Sequence, residues 1–384
     1  MSTTFPRIYF YCCDDREEIF QDDIIPLAEG LREMGIPYSS RANYWLQSTK
    51  EDDFLFHASP GVRPEDCDVV IFPAAWFHWW RVGDREITRH PFPNFIKNRN
   101  RSFKSVMMDS LDGTRTVSWE DDFRHFDQIL RVKLNRRVWH PANLRPWALG
   151  ISNRMLAATA GRLPWKDRRR GIFVSYNASH PFPHGSRVAA IEKLHPRLND
   201  LLPTWQPPFV DIKNPPSDPQ EAMMWRQTTG RHSPEYYRRL GSVAACSAFC
   251  GDLIPPMPFK NPECYLVGGN KAKLRRLFFE ILAKADPRPD RIVSCDSFRF
   301  WETLAAGTVA FNVDLEHYGV QLPVMPENWK HYIGVDFARV DAVIERLLAE
   351  PEALERIASA GRAWALEHYS PVAQARRFLN ALAR

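Results

Sequence analysis

The stretch from Val293 to Phe311, VSCDSFRFWETLAAGTVAF, constrains the fold more than any other part of the sequence. Its apolar residues recur at helical spacing over Phe298–Ala305, which predicts a helix with one apolar face. Asp296 and Ser297 stand where a helix N-cap is expected, because a short side-chain oxygen can accept a hydrogen bond from a free N–H group of the first turn. Gly307 favours the left-handed conformation that ends many helices. Apolar runs on both sides predict buried strands, so the stretch is a strand–helix–strand unit of an α/β protein.

Two charged residues of this helix, Arg299 and Glu302, lie one turn apart on a face of their own. Taken alone, such a pair is usually a solvated contact. The order Ser-x-Arg-x-x-Glu-x-x-x-x-Gly, followed by an apolar strand, resembles the donor-binding segment of GT-B glycosyltransferases, especially the exostosin-like and family-4-like groups. In those families the carboxylate at the position of Glu302 holds the ribose hydroxyls of a sugar nucleotide, and the helix N-terminus faces the diphosphate. The resemblance implies that Asp296, Ser297, Arg299 and Glu302 bind the donor.

The resemblance covers the C-terminal part of the chain well and the rest in outline. It implies a GT-B fold, an α/β architecture of two Rossmann-like domains facing across a cleft, with a C-terminal helix that crosses back to the first domain. A chain of 384 residues also suits two domains. We expect the acceptor-side domain at 1–165, the donor-binding domain at 166–369 and the returning helix at 370–384. Many retaining family-4 enzymes carry a second Glu eight positions before the one matched by Glu302; here that position is Ser294, so the stereochemistry of transfer stays open.

The overall composition limits the class of protein. A hydrophobic content of 44% and a charged content of 25% are those of a soluble globular protein. The net charge of +5 suits an anionic substrate or an anionic surface, and falls short of a dedicated nucleic-acid binder. No apolar stretch is long enough to span a membrane, although peripheral contact with one stays open. The 7 scattered cysteines predict a reducing compartment and no metal site, so we expect a cytoplasmic location.

The first half alternates apolar strands with helical stretches, which predicts a parallel sheet. The clearest strands are Arg7–Cys13, Asp68–Pro73 and Ser105–Met108. Ligands bind at the carboxyl ends of such strands, so polar residues there are candidates for a catalytic base. These candidates are, in order, Asp109, Asp14 and His78. Each of them can instead be a turn or cap residue.

Five residues that follow the second of these strands, Trp76-Phe77-His78-Trp79-Trp80, are unusually aromatic. Flat rings can stack on an acceptor sugar or base, which makes Trp76, Trp79 and Trp80 candidates for acceptor binding. Alternatively, the segment is a helix wedged between the domains.

The second domain is expected to begin at the strand Gly171–Tyr176, after a basic linker whose arginines Arg168–Arg170 are expected to be solvated. A polar loop and a helix that opens at Ser186-Arg187 follow, an arrangement that suits a diphosphate. It resembles the loop after the first strand of the GT-B donor domain, where exostosin-like enzymes also place an Arg. Arg187 is therefore assigned to donor binding, unless it only caps a surface loop.

These features predict a glycosyltransferase that moves a sugar from a nucleoside-diphosphate donor to a hydroxyl acceptor on a glycan or glycoconjugate. Arg187, Arg299 and helix N-termini would neutralise the leaving diphosphate in place of a metal ion. The nucleotide sugar is the substrate, and no further cofactor is expected. Two alternatives stay open: a transferase that acts on a modified DNA base, and a protein that kept the fold as a binding module without turnover.

Overall fold

The computed structural model describes residues 5–14, 21–77, 80–82, 85–87, 90–111, 121–176, 185–208, 215–228, 230, 233–254 and 289–382. Of residues 80–82 and 85–87 it describes the backbone alone. Within these ranges, no helix is long and apolar enough to cross a membrane.

The first half of the chain folds around a six-stranded parallel sheet. In chain order its elements are β1 (Ile8–Phe10), α1 (Ile25–Glu33), β2 (Tyr38–Ser40), β3 (Tyr44–Leu46), β4 (Phe54–Phe56), β5 (Val69–Pro73), β6 (Trp80–Val82), β7 (Arg85–Ile87), α2 (Asn94–Lys97), β8 (Lys104–Asp109), β9 (Gln128–Arg131), β10 (Leu134–Asn135), β11 (Leu144–Pro146) and α3 (Asn153–Ala158). The sheet order is β11-β9-β8-β5-β1-β2, with all neighbours parallel. The three strands predicted for this half are its centre, and β5 is buried along its whole length.

The second half folds around a five-stranded parallel sheet. Its elements are β12 (Arg169–Phe173), α4 (Gly185–Ala189), α5 (His195–Leu198), β13 (Thr204–Trp205), α6 (Pro219–Gln227), α7 (Pro234–Leu240), β14 (Val243–Ser247), β15 (Asp252–Ile254), β16 (Arg291–Val293), α8 (Phe298–Ala305), β17 (Val309–Val313), β18 (Val320–Gln321), β19 (Ile333–Val335), α9 (Val340–Ala349), α10 (Ala353–Tyr369) and α11 (Pro371–Leu382). The order is β13-β12-β14-β17-β19. The strand before α8, β16, pairs antiparallel with β15 outside this sheet, whereas the strand after it, β17, lies inside the sheet.

The C-terminal helix α11 crosses back to the first domain, as predicted. It packs so closely on α1 that a Cβ atom added at Gly30 would lie 2.0 Å from the carbonyl oxygen of Pro371. At its other end, Lys104 Nζ of the first domain donates to the carbonyl oxygen of Leu382 at 2.6 Å. The crossing thus ties both ends of this helix to the first domain.

A short ribbon joins the two domains directly. Strand β10 of the first domain pairs antiparallel with β18 of the second. The buried amide of Asn135 donates to the carbonyl oxygens of Ile292 and Tyr318, both at 2.8 Å. The first sheet ends at Pro146 and the second begins at Arg169, so the predicted boundary at 165 falls within the linker between them.

A buried carboxyl group lies where this linker meets the first domain. Glu29 of α1 is 3% exposed, and its Oε2 accepts a hydrogen bond from the backbone N–H of Asn153 at 2.8 Å. Burial raises the pKa of Glu29 to about 8, although that hydrogen bond and the charge of Arg154 partly oppose the shift. The group therefore keeps its proton in the folded protein under conditions where an unfolded chain has lost it.

We predict that Glu29→Gln removes a pH-dependent part of the stability. Between pH 4.5 and 8 the folded state binds more protons at Glu29 than the unfolded state, so its contribution falls as pH rises. The difference in unfolding free energy between wild type and Glu29→Gln should therefore fall with pH, by at most ~1.4 kcal/mol per pH unit. Urea titrations at several pH values measure it. The exposed Glu355→Gln on α10 is the control, and parallel wild-type and Glu29→Gln profiles would contradict the prediction.

Candidate active site

Two arginines from separate helices meet at the carboxyl end of β12. The guanidinium of Arg187, in α4, lies 5.2 Å from the ring centroid of Tyr176, and that of Arg299, in α8, lies 5.4 Å from the same centroid. Arg187 Nε donates to the carbonyl oxygen of Phe249 at 3.0 Å. Arg299 Nε and Nη2 donate to Ser175 Oγ and to its carbonyl oxygen, both at 3.1 Å. The structure thus brings together two predicted donor-binding residues and fixes each on the end of a strand.

Glu302 lies one turn further along the same helix as Arg299 and is 4% exposed. Its Oε2 accepts a hydrogen bond from the Tyr236 hydroxyl at 2.8 Å, and its Oε1 accepts one from the Tyr237 hydroxyl at 3.2 Å. Burial, and next the charge of Glu302, raise the pKa of both tyrosines well above its usual value. Both hydroxyls therefore keep their protons and act as donors that fix the carboxylate.

The start of α8 differs in detail from the prediction. Ser297 is the N-cap residue, but its side chain makes no capping hydrogen bond. Asp296 does not cap the helix either, because Oδ2 accepts from Leu149 N at 3.0 Å and Oδ1 accepts from Trp301 Nε1 at 2.6 Å. The Asp296 carboxylate thus holds the interdomain linker instead of facing a ligand. An N-terminus without a side-chain cap leaves its N–H groups to other partners, which suits an anion.

Three arginines converge on the other end of α8. Arg168 donates to the carbonyl oxygens of Gly307 and Ala306, and Arg362 Nε donates to that of Ala305 at 3.1 Å. Arg162 Nε would lie 3.7 Å from a Cβ atom at Gly307, whose φ of +61° is the predicted left-handed ending. Arg168 was expected to be solvated; it is instead half-buried, because the unsatisfied carbonyls and negative dipole end of a helix attract cations.

An acidic cluster lies in the first domain, at the carboxyl end of β8. The hydroxyl of Ser110 lies 3.1 Å from Asp22 Oδ1 and 3.2 Å from Asp23 Oδ2. Asp23 is 2% exposed, and burial and then the charge of Asp22 raise its pKa well above the usual value. Lys133 Nζ donates to the carbonyl oxygen of Ser110 at 2.8 Å. The cluster therefore joins the carboxyl end of β8 to the start of α1.

The acidic cluster of the first domain and the start of α8 in the second are close enough to interact electrostatically. Burial raises the pKa of Asp296 to about 6; among the weaker influences, Lys133 lowers this pKa and Asp22 raises it. Lys133 and Ser294, one in each domain, both adopt left-handed backbone, with φ of +67° and +59°. Side-chain-bearing residues seldom adopt this conformation, and those that do often lie at functional sites.

Asp109, the first candidate for a base, occupies a structural position. It is fully buried in an ion pair with Arg131, with 2.6 Å between Asp109 Oδ2 and Arg131 Nη1. Its Oδ1 accepts from Leu111 N at 3.2 Å. A base must reach the acceptor hydroxyl, and a carboxylate engaged in this way cannot do so without breaking the pair. This placement corrects the ranking of the candidates.

The other first-domain candidates have different outcomes. Asp14 lies at the carboxyl end of β1 and is half-buried, so it stays a candidate. Trp76 is 5% exposed, and His90 stacks on its ring at 4.1 Å while the Arg41 guanidinium lies 4.7 Å away. Since its ring is already covered, Trp76 belongs to the first-domain core, which corrects its assignment to the acceptor. His78, Trp79 and the Trp80 side chain lie outside the described residues.

Sequence reasoning missed several residues of this site: Asp22, Asp23, Ser110, Lys133, Tyr176, Tyr236 and Tyr237. Asp22 and Asp23 look like ordinary helix-start residues, and only the sheet topology brings them to Ser110. Tyr176 carried a usable signal, because it is the last residue of the predicted first strand of the donor domain. In the part of the chain that the structure describes, no group of three or more His, Cys, Asp or Glu side chains could hold a metal ion.

No protein-family model matches the sequence, and no curated protein matches it. Among solved structures, the chain is similar to an alpha-glucosyltransferase (AGT) in complex with UDP, with a TM-score of 0.51 and 9% identity, covering 99% of this chain and 100% of that chain. It is also similar to an alpha-glucosyltransferase in complex with UDP and a 13-mer DNA containing a HMU base, with a TM-score of 0.50, 9% identity and the same coverage. Together with the two facing Rossmann-like domains, these similarities identify the fold as GT-B. At such low identity they establish the fold alone.

We predict that Arg131→Met strongly destabilises the first domain. Removal of one partner leaves Asp109 as a buried carboxylate without its counter-charge, which typically costs ~3–5 kcal/mol. Urea unfolding measures this loss. Arg124→Met is the matched control, because Arg124 and Asp121 form an ion pair whose side chains are 72% and 89% exposed, and such pairs contribute under ~1 kcal/mol. Equal effects of the two substitutions would show that the Asp109 pair is not a structural requirement.

Proposed function

We propose that this protein is a glycosyltransferase that transfers a sugar from a nucleoside-diphosphate donor to a hydroxyl acceptor. One observation carries the proposal: Arg187 and Arg299 lie at similar distances from one ring at the end of β12, and Glu302 lies one turn further along the helix that bears Arg299. Two cations beside a helix N-terminus suit a diphosphate, and a nearby carboxylate suits the hydroxyls of a ribose.

In this proposal each side chain has a distinct task in donor binding. The two guanidinium groups and the N–H groups at the start of α8 bind the diphosphate and stabilise the charge that develops on it as it leaves. This arrangement makes turnover independent of a divalent ion. Glu302 accepts hydrogen bonds from the ribose while Tyr236 and Tyr237 fix its orientation. The motif from Ser297 to Gly307 supports membership of the exostosin-like or family-4-like group.

The acceptor is proposed to bind on the first domain, where a carboxylate can receive its proton. For an inverting transfer, the acceptor oxygen forms the bond to the anomeric carbon, the bond from that carbon to the diphosphate oxygen breaks, and the acceptor proton passes to a base. Asp22 is half-buried and close enough to Asp296, beside the start of α8, to raise the pKa of that residue, so we place Asp22 before Asp14 as that base. Asp23 shares the Ser110 hydroxyl with it, so the two carboxyl groups are held side by side.

The acceptor class has two candidates. A glycan or glycoconjugate is the main one. A modified DNA base is the second, favoured by the similarity over the full chain to an alpha-glucosyltransferase in complex with DNA and by the net charge of +5. Duplex binding that weakens steeply as salt rises would support DNA, and no binding at low salt would exclude it.

A fold that binds nucleotide sugars without turnover is the remaining alternative, and slow hydrolysis of UDP-, GDP- or TDP-sugars would exclude it.

We predict that Glu302→Gln weakens nucleotide binding by ~1–3 kcal/mol, because a ribose hydroxyl loses a charged acceptor. Calorimetric titration with UDP, GDP and TDP measures the loss, and Glu355→Gln, an exposed change on α10, serves as control. Titrations in EDTA also test the metal independence, since binding should persist there. Unchanged affinity for all three nucleotides would remove Glu302 from the donor site.

We further predict that Asp22→Asn slows transfer without weakening donor binding. Loss of a general base typically lowers the rate by ~10²–10⁴-fold, whereas the nucleotide contacts all lie on the second domain. Hydrolysis of the preferred sugar nucleotide gives the rate, with water as acceptor, and calorimetry gives the donor Kd. Asp121→Asn, an exposed change in the same domain, should alter neither quantity. A parallel loss of rate and affinity, or an unchanged rate, would assign Asp22 another role.

A further inference from the structure

The Tyr176 ring that lies near both arginines is itself held by a chain of buried hydrogen bonds. The hydroxyl of Tyr176 lies 2.7 Å from Ser247 Oγ, and that oxygen lies 3.0 Å from His195 Nε2. The three residues come from the end of β12, from β14 and from α5, and all are at least nine-tenths buried. The chain therefore fixes the ring against two other elements of the second domain.

Both titratable members of this chain are neutral around pH 7. Burial raises the pKa of Tyr176 to about 12 and lowers the pKa of His195 to about 4. A neutral histidine and a neutral tyrosine bridged by a hydroxyl hold a position and add no charge to the site. The positive charge around the ring therefore comes from Arg187 and Arg299.

A tyrosine in this position can organise two cations that would otherwise repel each other. Each guanidinium lies within 6 Å of the ring centroid, the range in which the ring quadrupole attracts a cation. Arg187 and Arg299 are anchored to backbone at Phe249 and Ser175, but each of those bonds fixes only one edge of a guanidinium. Attraction to the shared ring therefore restricts the orientation of both side chains.

We propose that Tyr176 is a positioning residue that keeps Arg187 and Arg299 aimed at one diphosphate, and that Ser247 and His195 fix it in that role. The inference rests on the proposed function, because it assigns the diphosphate as the anion. By positioning the two arginines, Tyr176 would make the site selective for a diphosphate over a monophosphate. Two cations placed together bind the second phosphate as well as the first. Binding of the nucleoside itself is left to other residues.

The test compares diphosphate with monophosphate binding in matched variants. Calorimetry is done with UDP and UMP, GDP and GMP, and TDP and TMP. For each base it gives the ratio of the monophosphate Kd to the diphosphate Kd. Tyr176→Leu, which removes the ring, should lower this ratio about tenfold, the scale of one desolvated cation–ring contact. Tyr176→Phe and Ser247→Ala keep the ring but remove the hydrogen bond that fixes it. They should lower the ratio about two- to fivefold.

A control variant separates this effect from general loosening of the domain. Tyr318→Phe removes another buried tyrosine hydroxyl of the second domain, which accepts from Phe337 N at 3.2 Å, and should leave the ratio unchanged. Melting temperatures are measured for every variant, and if Tyr176→Leu does not fold, the other two Tyr176-chain variants decide. An equal loss of both nucleotides, or an unchanged ratio, overturns the positioning role. A wild-type protein that binds none of the nucleotides overturns the proposed function and this inference with it.

Discussion

The carboxylate of Asp296 joins helix α8 to the rest of the molecule. One oxygen accepts from the linker at Leu149, and the other accepts from the indole of Trp301 inside α8. That indole packs on Tyr369 at 4.5 Å, and the backbone of Tyr369 accepts from Ile151 of the same linker. Gln374 of the returning helix then donates to the carbonyl oxygen of Leu149. One buried acid thus sets the position of α8 relative to both the linker and the C-terminal helices, and with it the position of Arg299 and Glu302.

Burial has the same effect on the carboxyl groups at both sides of the cleft. Desolvation disfavours a charged carboxylate, so the pKa of Asp296 and that of Asp23 both rise. A neighbouring cation can offset the cost of burying a carboxylate, and Arg131 does so for Asp109 in the first-domain core. Across the cleft, the ribbon of β10 and β18 and the amide of Asn135 keep the domains in register. The acidic and cationic halves of the site are therefore placed by backbone hydrogen bonds as well as by side chains.

The sequence predicted the parts of this structure that depend on local pattern. The clearest apolar runs of the first half became strands of its parallel sheet, Gly307 ended α8 in left-handed backbone, and the helix motif placed Arg299 and Glu302 one turn apart, although the run before that helix, β16, pairs outside the second sheet. The sequence-based prediction failed for residues whose role depends on burial and on partners far away in the chain. The pattern around Asp109 is that of a strand end, and nothing local shows that Arg131, 22 residues later, neutralises it. Trp76 likewise lies in an aromatic run that the sequence left open between ligand stacking and packing, and only the contacts of His90 and Arg41 show that its ring is covered.

The distribution of charge along α8 connects fold stability with ligand binding. Arginines satisfy the carbonyls at its C-terminal end, while at its N-terminal end neither Asp296 nor Ser297 caps the free N–H groups. Were the N-terminus capped by a carboxylate, the helix would gain stability but a bound diphosphate would be repelled. Because Asp296 is instead turned to the linker and held by Trp301, its oxygens do not compete for those N–H groups. The helix is thus stabilised at its C-terminal end, while its positive N-terminal end stays available to an anion.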